Sequence, residues 1–232
     1  ASWIHGSAPA NPIWRLRNEL GLRTVRTDWD DLVVYDIDGE QVSATQSSTD
    51  AARYRSAYRK ARRWGTRQES DTTLQDGIDF ALRARAMSPY DERALDFRLN
   101  FEVEQDYGGD AESLSNWWYD QDSWLGGRQD SYLVDGYGEL VDTLADDLDI
   151  RLSTVVSAVS YGSFGVRIST NRGVQQAAYA VITVPLGVLK ANQITFSPAL
   201  TRAKRGAIGR LGVGTLNKLY LGFGERFWDD RE

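Results

Sequence analysis

The spacing of apolar positions changes along the chain, and each change predicts a different kind of element. Asn11-Pro12 followed by IWRLRNELG reads as a helix with Asn11 at the N-cap, Pro12 in the first turn and Gly21 as terminator. LVVYDIDGEQVSAT (Leu32–Thr45) alternates around Asp38-Gly39 and predicts a hairpin turned there. A polar, Arg-rich helix is expected over Ser47–Gln68. Two more follow over Thr73–Ala86 and Tyr90–Tyr107, parted by Ser88-Pro89. Residues 46–120 thus read as a helical layer whose exposed faces carry mixed charge.

After Gly126-Gly127 the pattern shifts. A short turn leads into a helix from Glu139 to Leu148, and RLSTVVSAVSY predicts a strand. GVRISTNRGVQ predicts a hairpin turned at Asn171-Arg172-Gly173, with Val166 and Ile168 on one face. AAYAVITVP is almost continuously apolar, the pattern of a strand covered on both faces. Ala203, Ala207, Ile208 and Leu211 recur at helical spacing. TLNKLYLGF predicts a strand with Leu216, Lys218 and Tyr220 on one face and Leu219, Leu221 and Phe223 on the other.

Composition narrows the chemistry. A chain of 232 residues, 41% apolar and 26% charged, can bury a core as an ordinary globular protein. A net charge of −6 argues against a nucleic-acid surface. The absence of cysteine excludes disulfides, thiolate catalysis and zinc–thiolate sites, and a single histidine excludes a multi-histidine metal site. No metal-ligating residues are assigned: no EF-hand spacing appears, and a carboxylate-only magnesium or calcium site is the one metal class composition leaves open. AAYAVITVPLGVL is too short, and too broken by Pro185, to span a bilayer.

Few motifs carry chemistry by themselves. Gly136-Tyr137-Gly138 is half of a dinucleotide fingerprint, and such pairs are mostly ordinary turns. DWDD (Asp28–Asp31), EVEQDYGGDAE (Glu102–Glu112) and YDQD (Tyr119–Asp122) read as solvated faces, the alternative for the last two being collection of a cation. Lys218 sits in a strand pattern, either at a wet edge or in an apolar pocket where it would act on water or a cofactor. His5 stands beside Trp3, and a lone histidine beside a tryptophan is more often structural than catalytic.

Four stretches together resemble a known family: ASWIHG with NPIWRLRNELGL, SYLVDGYGELVDTLADDLDIRLSTVVSAV, YAVITVPLGVLKANQITFSPAL, and KRGAIGRLGVGTLNKLYLGFGERFW. They are similar to the flavin-containing amine oxidases, above all the polyamine and spermine oxidase branch. Residues 46–120 match it only loosely. The family's N-terminal GxGxxG and its C-terminal flavin-site segment have no counterpart here. Together with a start at Ala1 rather than methionine, this makes the chain look like the central piece of such an enzyme.

The resemblance implies FAD as cofactor, with Ser2 and Trp3 along the flavin through their backbone and Val156 at its adenine end. His5 would line the catalytic tunnel near the substrate amine. Thr183–Leu186 would end a strand near the cofactor, and Lys218 would lie buried, holding a water against flavin N5. It implies oxidation of an amine C–N bond by hydride transfer to the flavin, imine hydrolysis and release of hydrogen peroxide. The partners are then an amine or polyamine substrate and dioxygen. The alternatives are a monoamine or L-amino-acid oxidase of the same superfamily, or a non-catalytic binding paralogue. The isolated chain is expected to be inactive. The fold expected is mixed α/β and α+β. Residues 1–20 and 131–195 would be pieces of a Rossmann-like FAD-binding domain with a β-meander, and 21–130 and 196–232 a substrate domain of mixed sheet and helices.

Overall fold

A computed structural model describes residues 3–29, 32–83, 86–121, 123, 125–127 and 129–228. The chain divides into two compact units, residues 1–148 with 216–232, and residues 149–215. Together they hold helices, an antiparallel sheet and a mixed sheet, a mixed α/β architecture.

The first unit opens with β1 (Trp3–His5), α1 (Pro12–Glu19) and β2 (Thr24–Thr27). The Asn11 side chain accepts hydrogen bonds from the backbone of Ile13 and Trp14, and Gly21 leaves the helix at φ 65°. A glycine suits that left-handed exit because it has no Cβ to clash. The expected hairpin is small but present: Tyr35 bridges Gln41, and Gly39 turns at φ 81°.

The helical layer comprises α2 (Ala44–Gly65), α3 (Leu74–Leu82) and α4 (Pro89–Leu99). Ser43, Thr73 and Ser88 cap them, the last two in reciprocal capping boxes with Asp76 and Asp91. The third expected helix runs on to Tyr107 through a π-helical turn, Asn100–Glu104, into α5 (Gln105–Tyr107). Along α2 the buried positions Tyr54, Ala57, Ala61 and Gly65 form one stripe. Tyr54 packs with Leu74, Leu99 and Val103, and Ala57 and Ala61 pack with Ile78 and Leu95. The small residues let the helices approach closely. Asn116 is fully buried between them, its amide donating to the Ala61 carbonyl at 3.3 Å.

β3 (Asp130–Leu133) and α6 (Gly138–Ala145) complete the regular elements of this unit. β3 runs between β1 and β2, antiparallel to both. Ile4 and Leu133 lie on the inner face, in a core shared with Leu22 and Leu140 and covered by Trp14 and Leu16 of α1.

The second unit contains β4 (Val156–Gly162), β5 (Gly165–Thr170), β6 (Gly173–Ala177), α7 (Leu186–Lys190), β7 (Thr195–Ser197) and α8 (Arg202–Arg210). Its sheet order is β6-β5-β4-β7, with β4 and β7 parallel. Asn171 fixes the expected turn: its Oδ1 accepts from the Val155 backbone N–H at 2.8 Å.

Two expected strands are absent. β6 ends at Ala177, and residues 179–185 are irregular, with Tyr179 89% and Val181 88% exposed. Residues 215–223 are irregular too, and Leu219 is 83% exposed. A strand needs a neighbour to satisfy its backbone donors and acceptors. Among the described residues, none pairs with either segment. Lys218 is accordingly exposed, not buried in a strand.

Candidate functional site

The three-stranded sheet of the first unit has two chemically different faces because side chains alternate along each strand. Ile4, Ser131 and Leu133 point into the core. The opposite face carries two cross-strand rows: Trp3, Tyr132 and Val25, then His5, Asp130 and Thr27. The register alone places these six side chains on one surface.

Trp3 is the centre of the first row. Its ring lies 5.5 Å from that of Tyr132, edge-on, and 5.7 Å from that of Trp29. Its Nε1 donates to Thr27 Oγ1 at 2.8 Å, across the middle strand. Its carbonyl accepts from the Tyr137 hydroxyl at 2.7 Å, and burial pushes the pKa of that hydroxyl up. The Lys218 ammonium caps the cluster, 4.4 Å from the Trp3 ring centroid. A cation over an indole face is attracted by the negative face of the ring quadrupole.

Asp130 is the centre of the second row. Its Oδ2 faces His5 Nδ1 at 3.0 Å and accepts from Trp29 Nε1 at 3.0 Å. Its Oδ1 accepts from the Gly6 backbone N–H at 3.3 Å. The carboxylate is 15% exposed, whereas the His5 side chain is 68% exposed. The backbone below is fixed by Asn11, whose Nδ2 donates to the carbonyls of His5 and Gly6, both at 2.9 Å.

The structure thus brings together Trp3, His5 and Lys218 of the expected site residues. Ser2 lies outside the described residues. Val156 opens β4 in the second unit, half-buried and paired with Thr170 beside a bulge. Thr183–Pro185 are irregular, and Leu186 begins α7.

Sequence reasoning missed Trp29, Asp130, Tyr132, Thr27 and Tyr137. Trp29 lay inside the acidic DWDD stretch and was read with it as solvated surface. DSYL does alternate, with Ser and Leu inward, but over four positions only, too few to mark β3 and its two outward residues in the sequence. The acidic clusters find partners within the chain. Glu104 accepts from the Ala111 N–H at 2.8 Å, Asp120 pairs with Arg62 at 2.6 Å, and Asp28 pairs with Arg26 at 3.0 Å. Asp30, Asp31 and Asp122 lie outside the described residues. Among the described residues, no group of acidic or histidine side chains is arranged to hold a metal ion. No described helix is long and apolar enough to cross a membrane.

Comparison with known proteins decides the family. The family model for flavin-containing amine oxidoreductases matches residues 1–232. The chain belongs to that family. As an amine oxidoreductase chain it is 34% identical over 248 residues to polyamine oxidase 4 of Oryza sativa subsp. japonica, covering 100% of this chain and 50% of that protein. It is 32% identical over 246 residues to probable polyamine oxidase 4 of Arabidopsis thaliana, covering 100% of this chain and 49% of that one. Lysine-specific histone demethylase 1 homolog 3 of Arabidopsis thaliana is 43% identical over 130 residues, 51% of this chain and 8% of that protein. The chain therefore spans about half the length of the polyamine oxidases it matches.

FAD is the cofactor of the family. The outward face of the sheet suits a flavin ring. Trp3 and Tyr132 present aromatic surface for a flat conjugated ring, and the ammonium of Lys218 beside them complements the negative charge such a ring gains on reduction.

Proposed function

We propose that this chain is the central part of a polyamine-type amine oxidase, with the outward face of the β1-β3-β2 sheet forming part of its reaction site. One observation carries the reading. Residues with relatives in a polyamine oxidase over the whole chain converge in space, with Lys218, remote in sequence, resting on Trp3 two residues from His5.

A bound FAD would supply the redox chemistry, hydride acceptance from the carbon bearing the amine, with dioxygen as final oxidant and hydrogen peroxide as product. The chain's own residues supply position and polarity. The reacting amine must be neutral for its lone pair to assist. A free alkylamine, with a pKa near ~10.4, is mostly protonated at neutral pH, and apolar surroundings favour its neutral form. Lys218 holds water beside the aromatic cluster, where it can add to the imine product. His5, exposed above Asp130, hydrogen-bonds a nitrogen of the amine chain. Trp3 would hold the flavin through its backbone, and Val156 would offer a backbone contact to the adenine end of a bound FAD. In this reading residues 1–20 and 131–195 belong to the cofactor domain, and 21–130 with 196–232 to the substrate domain. The isolated chain, which spans about half the length of the polyamine oxidases it matches, is expected not to turn over.

A second reading is favoured by the higher identity, over half the chain, to the histone demethylase homologue. It makes the substrate a methylated lysine side chain.

The test is peroxide release by the full-length protein with spermine, spermidine, a monoamine, an L-amino acid and a dimethyl-lysine peptide. Turnover of spermine or spermidine at least tenfold above the others is expected. Preference for any other substrate replaces the polyamine reading, and no flavin absorbance after purification removes the oxidase reading altogether.

A further inference from the structure

The second row of the sheet face sets a shared acceptor beneath His5. Three donors from two segments meet on one carboxylate. His5 comes from the edge strand, Gly6 from the turn after it, and Trp29 from the loop after β2. Asp130 is their common acceptor and the register partner of His5. Of the two side chains, Asp130 is the sheltered one and His5 the exposed one.

We infer that Asp130 is a positioning residue that fixes the tautomer of His5 and turns its Nε2 into a hydrogen-bond acceptor for a substrate amine. The argument is one of donor counting. Neutral imidazole has one N–H and one bare nitrogen. A carboxylate within hydrogen-bond distance accepts only, so the nitrogen that faces it carries the proton. That nitrogen is Nδ1, at 3.0 Å from Asp130 Oδ2. Nε2 is therefore bare and can only accept. An acceptor on an exposed ring recognises a ligand that donates, as an amine or ammonium N–H does, and it turns away carbonyls and ethers. Trp29 Nε1 on the same oxygen limits rotation of the carboxylate, and Gly6 N–H holds the other oxygen. The imidazole is thus oriented from below by groups that never touch the substrate.

The inference rests on the amine-oxidase reading for its substrate, but its main test does not. His5 is the single histidine of this chain. In the full-length protein carrying ¹⁵N-histidine, the His5 resonances are identified by their loss in His5→Asn. At pH about 8, where imidazole is neutral, the wild-type protein is expected to show the Nδ1–H tautomer in about tenfold excess. Asp130→Leu, which removes the acceptor, is expected to abolish that excess. Trp29→Phe, which leaves the carboxylate in place, is expected to retain it. A wild-type His5 dominated by Nε2–H overturns the inference without any variant having to fold. So does an Asp130→Leu protein with an unchanged tautomer.

The kinetic counterpart is a split. Asp130→Leu is expected to raise KM for a polyamine about tenfold, the loss of one oriented hydrogen bond, with kcat within about threefold. An unchanged KM, with the expected tautomer seen, overturns the substrate-accepting role of Nε2. Failure of the polyamine reading appears separately, as absence of polyamine turnover in the wild type.

Discussion

The Lys218 ammonium lies 4.4 Å from the centroid of the Trp3 ring, joining opposite ends of the chain in one contact. No strand holds Lys218 in place among the described residues, and its side chain is exposed. An exposed cation–π contact of this kind is worth about 0.5–1 kcal/mol, enough to bias a lysine but not to bury it. Lys218→Met in the full-length protein is expected to slow flavin reoxidation or imine release more than about tenfold, a barrier change of about 1.4 kcal/mol. Stopped-flow reduction and reoxidation and the rate of aldehyde release that all stay within about twofold of wild type remove Lys218 from the chemistry.

Asn11 couples helix capping to the site. Its oxygen accepts from Ile13 and Trp14, and its amide donates to the carbonyls of His5 and Gly6. Asn11→Ala removes a cap and leaves buried carbonyls unpaired, an expected loss of about 2–4 kcal/mol. Asn11→Ser, which keeps a capping oxygen but is too short to reach back, is expected to fall between the two. Denaturant unfolding of the three proteins checks the order.

Gly65 ends α2 against Asn116. A Cβ added there would stand 2.4 Å from Asn116 Nδ2 and 2.5 Å from its Cγ. Helix propensity alone favours alanine over glycine by about 1 kcal/mol. The close approach reverses that, and Gly65→Ala is expected to destabilise by about 1–3 kcal/mol. In the double variant with Asn116→Ala the two costs should be less than additive. Additive costs, or a stabilised Gly65→Ala, contradict the packing described.

Glu102 lies in the π-helical turn, and burial raises its carboxyl pKa despite the opposing charges of Arg98 and Arg55. The folded state therefore binds this proton more tightly than the unfolded state. The resulting stability is present at acid pH and is lost as pH climbs from the ordinary carboxylate range through the raised value. Glu102→Gln has no charge to bury. The Tm of the variant is expected to gain on wild type between about pH 4 and pH 7. A gap that moves the other way would make the Arg98 pair, not burial, the dominant influence on Glu102.

Local signals were strong wherever the chain caps and turns itself. Asn11, Ser88-Pro89 and Asn171-Arg172-Gly173 each act through groups a few residues away, so the helices and the β5–β6 hairpin were legible to within a few positions. AAYAVITVP and TLNKLYLGF were misread for a related reason. Their apolar composition was right for a strand, but composition does not supply the neighbouring strand that would satisfy the backbone, and no described segment pairs with them. β3 went unseen because DSYL is only four residues long and follows a glycine-rich loop, giving alternation too few positions to stand out.

Of the site, the sequence by itself determined the chemical inventory: one imidazole beside a tryptophan, and a lysine in a familial context. In the structure, strand geometry over β1 puts Trp3 and His5 on one face. Only the tertiary structure decided which groups meet that face. Asp130 and Tyr132 arrive through strand register, Trp29 through a loop, and Lys218 from the far end of the chain. The reason is that hydrogen bonding within a turn or helix is local and is written in neighbouring residues. A carboxylate placed under a histidine depends on closing a long loop in one register, and that register is set by which side chains the sheet buries against α1.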